Sequence, residues 1–172
     1  MKDRSRQKLV DLFNELKNNK KEFLSSHVLM SENNFEDEFK QILISHGIIE
    51  IPGQSATNQK RFFASLKGYE DQMSETEIKE KWNSLRNEIQ SKDRIELVEN
   101  KFTKLNKIFI KQPFGSQNYP DFIIFTEKNV FPIEIKSSSG KKISSKLPKW
   151  NSNLPKGPDI YIYNHELKSV KK

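Results

Sequence analysis

Two neighbouring stretches of the sequence predict β-strands: Pro120-Asp121-Phe122-Ile123-Ile124-Phe125 and Val130-Phe131-Pro132-Ile133-Glu134-Ile135-Lys136. The first is a run of β-forming residues after Asp121, and in the second apolar and charged side chains alternate. Alternate residues of a strand point to one face of a sheet, so Glu134 and Lys136 are expected side by side, with the neighbouring isoleucines facing the core. The short polar link 126–129 predicts a hairpin that brings Asp121 beside Glu134.

Two carboxylates and a lysine in this arrangement meet the chemical needs of metal-dependent phosphodiester hydrolysis. Mg²⁺ prefers hard oxygen ligands, so Asp121 and Glu134 are the candidate metal carboxylates, with the backbone carbonyl of Ile135 as a third ligand. Asp121, Glu134 and Lys136 are the candidate catalytic residues, and Lys136 is expected to orient or deprotonate a water molecule, or to offset charge in the transition state. The alternative is a solvated strand face on which Glu134 and Lys136 form an ordinary ion pair.

The motif Pro120-Asp121…Glu134-Ile135-Lys136 resembles the PD-(D/E)XK nuclease superfamily in residue types, spacing and strand context. The wider pattern is similar to a small Type II restriction endonuclease over residues 107–164. The features that carry this similarity are Gly115-Ser116-Gln117-Asn118-Tyr119, Ser137-Ser138-Ser139, Pro148-Lys149-Trp150-Asn151 and Asp159-Ile160-Tyr161-Ile162-Tyr163.

The resemblance implies an α/β fold with a restriction-endonuclease-like core. In such a fold a central mixed four-stranded sheet is flanked by helices, here with a helical N-terminal half. The implied activity is Mg²⁺-dependent cleavage of double-stranded DNA at a specific short sequence. A homodimer is expected because two-fold symmetric DNA is cut on both strands by two identical sites, and a cognate DNA methyltransferase is the implied functional partner.

Two other functions stay open from the same residues. A structure-selective repair or junction nuclease of the same fold would use the same three side chains. A non-catalytic DNA-binding protein is the alternative from a different class, because only 36 residues follow Lys136, whereas many relatives carry further helices and recognition loops. The chain is therefore interpreted either as a compact member of the superfamily or as a truncated remnant.

Glu36 is a further candidate metal ligand. Members of the superfamily often place a glutamate on a helix ahead of the core, and the Phe35-Glu36 pair resembles that pattern best among the acidic residues of its helix. The alternative is an ordinary acidic first turn, which the positive end of the helix dipole favours.

Composition bounds the class of protein. The 172 residues suffice for a single domain that buries a core, and the absence of cysteine excludes a disulfide framework or a thiolate zinc site. The three histidines are scattered, so a histidine-based metal site is not expected. No apolar run approaches the length of a membrane span, and the polar opening residues do not predict a signal peptide. A cytoplasmic protein without a membrane partner is expected.

Positive charge is concentrated in the second half of the chain. The net charge of +7 divides into +9 for residues 101–172, which hold 14 lysines and 5 acidic residues, and −2 for residues 1–100. Lysine-rich surfaces bind the nucleic-acid backbone with an affinity that falls steeply with salt. The candidate DNA-binding residues flank the motif: Gln117, Asn118, Lys141, Lys142, Lys146 and Lys149. The alternative is that these lysines serve only solubility.

Residues 1–100 are predicted to be mostly helical and to form the dimerisation or DNA-recognition part, with residues 101–172 as the catalytic sheet core. Amphipathic stripes predict helices over residues 5–18, 35–46 and 74–92. The second ends at Gly47, the third opens with the capping box Ser74…Glu77, and the first and third are candidate dimer surfaces. Residues 52–61 are interpreted as a polar loop, with base reading in the major groove as the alternative. Strands are predicted over residues 107–111, 119–126, 130–137 and 159–163.

Overall fold

The structure, a computed structural model, describes residues 4–18, 32–55, 57–91, 93–138 and 159–165. Over these ranges the helices are α1 (Arg4–Asn18), α2 (Glu32–Ser45), α3 (Gln59–Tyr69) and α4 (Glu75–Ile89). The strands are β1 (Ile49–Ile51), β2 (Val98–Glu99), β3 (Ile108–Lys111), β4 (Phe122–Phe125), β5 (Asn129–Ser138) and β6 (Ile160–His165). No helix within these ranges has the length and apolar character that crossing a membrane requires.

The strands form one mixed sheet in the order β1-β3-β4-β5-β2, and β6 also pairs with β5. Strands β3, β4 and β5 form an antiparallel meander, whereas β1 is parallel to β3 and β6 is parallel to β5. The long strand β5 has two partners on one edge, because β2 pairs with its first residues and β6 pairs from Ile133 onwards. The predicted α/β class with a mixed sheet is therefore confirmed.

The predicted number of four strands is wrong, since the described sheet has six. The additional strands β1 and β2 come from the first hundred residues, so that part of the chain is not purely helical. They contain three and two residues, too few for a period-two pattern to be visible in the sequence. They are defined instead by pairing with β3 and β5.

Helices cover both faces of the sheet because each face carries its own apolar side chains. On one face, α3 and α4 pack on strand residues, and this core includes Phe62, Leu66, Ile78, Trp82, Ile123 and Val130. On the other face lie α1 and α2, and this core includes Leu9, Leu12, Phe39, Leu43, Phe122 and Ile133. We call these the α3/α4 face and the α1/α2 face.

The three predicted helices are confirmed, with boundaries shifted by a few residues. Helix α4 opens with the predicted capping box, in which Ser74 Oγ accepts from Glu77 N at 3.2 Å and the Glu77 carboxylate accepts from Ser74 N at 2.7 Å. Helix α2 begins earlier, at Glu32, and is followed by Gly47, which adopts the left-handed conformation with φ 71°. Its N–H donates to the carbonyl of Ile44 at 2.9 Å, which satisfies a terminal carbonyl of the helix.

The residues predicted as a polar loop contain the start of α3, at Gln59. The preceding Asn58 makes no side-chain cap on the helix. Its side chain accepts from Ser55 N at 2.6 Å and donates to the carbonyl of Gly53 at 2.9 Å. The helix was not predicted because its first turn is polar, and its burial rests on a few apolar residues after that turn.

Candidate active site

The predicted hairpin of β4 and β5 is confirmed. The strands are antiparallel, with Phe122 opposite Ile133, and residues 126–129 close the turn. Continuing the register by one residue beyond the last pair puts Asp121 opposite Glu134. The two candidate metal carboxylates therefore occupy facing positions at the end of the hairpin that lies away from the turn.

The carboxylate of Asp121 is tied to the backbone of β5. Its Oδ2 accepts a hydrogen bond from the N–H of Ile135 at 2.7 Å. Alternate N–H groups of a strand point the same way, so this N–H is directed to the β4 side like that of Ile133. The paired ladder of β4 ends at Phe122, and a side-chain acceptor takes over where the main-chain ladder stops. The backbone carbonyl of Asp121 accepts from Gln112 N at 2.6 Å, which anchors the same residue to the end of β3.

Glu134 is buried, with 4% of its surface exposed. Strand alternation places it on the α3/α4 face, because Ile133 and Ile135 belong to the opposite core and Val130 belongs to this one. The alternative of a solvated strand face is therefore wrong for Glu134. A charged carboxylate at this depth is costly unless a hydrogen bond, an ion pair or a metal ion stabilises it. Lys136 is a β5 residue whose Cα pairs with Tyr163, and its side chain lies outside the described residues.

Strand β6 brings further polar residues to this end of the sheet, which the sequence interpretation missed. Tyr161 lies opposite Glu134 in the parallel register of β5 and β6. Just before β6, the fully buried carboxylate of Asp159 forms an ion pair with Arg94 and accepts a hydrogen bond from the hydroxyl of Tyr119. We call Arg94, Tyr119, Asp159 and Tyr161 the Asp159 cluster. The alternation Asp159-Ile160-Tyr161 is the signal that could have revealed it, had parallel pairing with β5 been assumed.

The two phenols of the Asp159 cluster resist ionisation. Burial raises the pKa of Tyr119 far above its ordinary value of 10.0, and the hydrogen bond to Asp159 and the charge of that carboxylate raise it further. Burial also raises the pKa of Tyr161, to which the negative charges of Asp159 and Glu134 add, while the hydroxyl of Tyr119 and the charge of Arg94 act in the opposite direction. Both hydroxyls therefore stay protonated at neutral pH, and that of Tyr119 donates to the Asp159 carboxylate.

The structure does not group Glu36 with the two central carboxylates. Its Oε2 lies 3.2 Å from Nζ of Lys111, which also contacts Asp37 at 2.8 Å. Lys111 follows Phe109 by two residues in β3, so alternation assigns it to the α1/α2 face, opposite to that of Glu134. Over the described ranges, no group of three or more His, Cys, Asp or Glu side chains is close enough to share one metal ion.

The candidate DNA-binding residues divide into a described and an undescribed set. Gln117 and Asn118 are exposed in the loop between β3 and β4. Asn118 also shapes this loop, since its Nδ2 donates to the carbonyl of Phe114 at 2.9 Å and its N–H donates to that of Gly115 at 3.0 Å. The four candidate lysines lie outside the described residues: Lys141, Lys142, Lys146 and Lys149.

Comparison of the chain with protein-family models, with curated proteins and with solved structures gives no match. The function is therefore inferred from the residues of the site.

Proposed function

We propose that the protein is a Mg²⁺-dependent endonuclease of the Type II restriction class, which hydrolyses phosphodiester bonds of double-stranded DNA at a specific short sequence. The observation that carries the proposal is the hydrogen bond from Ile135 N to the Asp121 carboxylate, next to the buried carboxylate of Glu134. The two carboxylates lie at the open end of the hairpin, and Lys136 follows Glu134 by two residues along β5. These are the residue types that metal-dependent phosphodiester hydrolysis uses.

The donor set suits Mg²⁺. This ion is held in proteins through one or two carboxylates, and water molecules and substrate phosphates complete its octahedron. Asp121 and Glu134 would supply the carboxylates, and the backbone carbonyl of Ile135 a further oxygen. When bound, Mg²⁺ polarises the phosphoryl group and lowers the pKa of a coordinated water molecule. The depth of Glu134 is consistent with this use, because a cation offsets the cost of a buried carboxylate.

The residues of the candidate site have distinct parts in the proposed reaction. The N–H of Ile135 orients the Asp121 carboxylate before any ligand arrives, so that little ordering is needed on binding. Lys136 orients the attacking water molecule and offsets the negative charge that develops on the phosphate. The attack forms a bond between the water oxygen and phosphorus and breaks one of the two ester bonds, and the released oxygen takes a proton from water.

DNA is the proposed substrate because the half of the chain that carries the site is strongly basic. Residues 101–172 contain 14 lysines and have a net charge of +9. A homodimer is proposed because cleavage of both strands at a two-fold symmetric site requires two equivalent centres. The apolar stripes of α1 and α4 are packed against the sheet, so a dimer would use other surfaces of these helices. A cognate DNA methyltransferase is the proposed functional partner.

The proposal is tested by incubating the purified protein with a long unmethylated duplex DNA, with Mg²⁺ or with EDTA. Discrete fragments that form only with Mg²⁺ are expected, and sequencing of their ends yields the recognition site. A smear, or preferential cutting of a branched duplex offered in parallel, would replace this function by that of a repair or junction nuclease. Shifted but intact DNA under both conditions would favour a non-catalytic DNA-binding protein.

A further inference from the structure

The carboxylate of Asp159 joins three segments of the chain that are far apart in sequence. It forms an ion pair with Arg94, which follows α4, and accepts a hydrogen bond from Tyr119, which precedes β4. Asp159 itself leads into β6. Its side chain is 0% exposed and that of Arg94 is 6% exposed, so these contacts form without competition from bulk water. Arg94 is held further by a hydrogen bond from Nη1 to the carbonyl of Glu96 at 2.9 Å.

Two hydrogen bonds fix Tyr119, which lies two residues before Asp121, the first of the two proposed metal ligands. Its hydroxyl donates to Asp159, and its backbone carbonyl accepts from Nε2 of Gln90, the residue after α4, at 3.1 Å. Only Pro120 separates Tyr119 from Asp121. The position of Tyr119 therefore limits where the Asp121 side chain can lie relative to β5.

The Asp159 carboxylate also fixes strand β6, which lies beside Glu134, the second of the two proposed metal ligands. Asp159 lies two residues before Tyr161, and Tyr161 is the register partner of Glu134. Because Arg94 anchors the start of β6, Tyr161 is held in its position opposite Glu134. Through Asp159, the segment that carries Asp121 and the strand that flanks Glu134 are held by one buried group.

We propose that Asp159 is a positioning residue, which holds the Asp121 carboxylate on the N–H of Ile135 and thereby sets its placement beside Glu134. Its catalytic consequence rests on the proposed nuclease function, whereas its structural consequence does not. Removing one member of a buried network of charged hydrogen bonds leaves the others uncompensated, so the remaining side chains shift from their positions. Asp159 acts through Asp121 and does not itself contact the substrate.

The test is Asp159→Asn, which keeps the size of the side chain and removes its charge. Hydrogen exchange of the Ile135 amide, followed by NMR, is expected to accelerate by about tenfold or more, as for loss of a hydrogen bond to a charged group. The amide of Lys107, which donates to the carbonyl of Phe125 near the other end of the hairpin, should keep its exchange rate. The affinity for Mn²⁺, measured by calorimetry as a stand-in for Mg²⁺, should fall by a similar factor.

Glu70→Gln is the matched control. Glu70 is also a buried carboxylate, 1% exposed, and it accepts hydrogen bonds from Thr103 Oγ1 at 2.7 Å and Lys104 N at 2.6 Å. Its loss should lower the melting temperature while leaving Ile135 exchange and Mn²⁺ affinity unchanged. Tyr119→Phe, which removes only the hydroxyl, should shift both readouts in the direction of Asp159→Asn, and it stands in if that variant does not fold.

Wild-type Ile135 exchange in both Asp159→Asn and Tyr119→Phe would overturn the positioning role. Equal effects of Glu70→Gln on the Ile135 amide would also overturn it, because they would show general destabilisation. Failure of the nuclease proposal has a different signature, in which the wild-type protein neither binds Mn²⁺ nor cuts DNA. The Ile135 exchange rates would still decide the role of Asp159 in that case.

Discussion

The Asp121 carboxylate accepts a hydrogen bond from the backbone N–H of Ile135, with 2.7 Å between Oδ2 and N. The Asp121 side chain thus adds one acceptor to the ladder of hydrogen bonds between β4 and β5, beyond Phe122, the last paired residue of β4. The contact holds an acidic group beside the buried Glu134 without the help of any ligand. Substitutions of Asp121 can therefore separate its structural role, which is to accept this hydrogen bond, from its proposed role in binding Mg²⁺.

Asp121→Asn is expected to impair Mg²⁺ binding and cleavage while keeping most of the stability. The asparagine side chain retains an oxygen that can accept from Ile135 N, but it lacks the negative charge that binds Mg²⁺. Asp121→Ala removes the acceptor as well, and is expected to lower the free energy of unfolding by about 1–3 kcal/mol. Denaturant titration and calorimetric Mg²⁺ titration measure the two effects. Wild-type Mg²⁺ affinity in Asp121→Asn would exclude Asp121 as a ligand.

Lys136→Ala is expected to lower the cleavage rate by about 10²–10⁴-fold, the range typical of a positioned acid–base group. DNA binding should change little, because one lysine among many contributes little to backbone affinity. Single-turnover cleavage and fluorescence anisotropy measure the two quantities. Lys128→Ala is the control, since Lys128 is an exposed lysine in the turn at the other end of the same hairpin. Equal cleavage rates for Lys136→Ala and Lys128→Ala would show that Lys136 is not a catalytic residue.

Glu36→Gln is expected to leave Mg²⁺ affinity unchanged, because Glu36 is paired with Lys111 on the other side of the sheet. A partly exposed ion pair of this kind contributes about 0–1 kcal/mol, so the loss of stability should also be small. Glu134→Gln provides the comparison in the same calorimetric titration. A matching loss of Mg²⁺ affinity in both variants would show that Glu36 moves to the metal on binding, as the sequence resemblance implies.

The Asp159 cluster is expected to make the fold sensitive to alkaline pH. Since the pKa of Tyr119 is raised in the folded state, this tyrosine stays protonated while its unfolded counterpart ionises near pH 10. The unfolded state then binds fewer protons, so stability is retained below pH 10 and falls as the pH rises above it. Tyr119→Phe should make the decline of the unfolding free energy shallower by about one proton per molecule. Denaturant titrations from pH 9 to about pH 11.5 check this, and equal slopes would contradict it.

Local patterns in the sequence predicted the parts of the fold that local interactions specify. Alternating side chains predicted the β4–β5 hairpin, because period two reports directly which residues share a face. Amphipathic stripes predicted α1, α2 and α4, and the Ser74…Glu77 capping box located the start of α4 because its hydrogen bonds lie within one turn. The facing positions of Asp121 and Glu134 follow from the same hairpin.

The parts that were not predicted depend on contacts between distant residues. Arg94 and Asp159 are 65 positions apart and meet only because β6 pairs in parallel with β5. Strands β1 and β2 are too short to have a pattern of their own and are created by pairing. The placement of Glu36 was also beyond local reasoning, because the face that a helix covers is determined by packing of the whole sheet.

Metal-dependent cleavage that requires Glu134 is tested by comparing the wild-type protein with Glu134→Gln in single-turnover cleavage of one defined duplex. The duplex contains the mapped recognition site, and parallel reactions contain Mg²⁺ or EDTA. We expect cleavage by the wild type with Mg²⁺ only, and a rate at least about 10²-fold lower for the variant, because the variant lacks a group that acts in the transition state. Cleavage by Glu134→Gln at the wild-type rate, or cleavage by the wild type in EDTA, would contradict the proposed metal-dependent site.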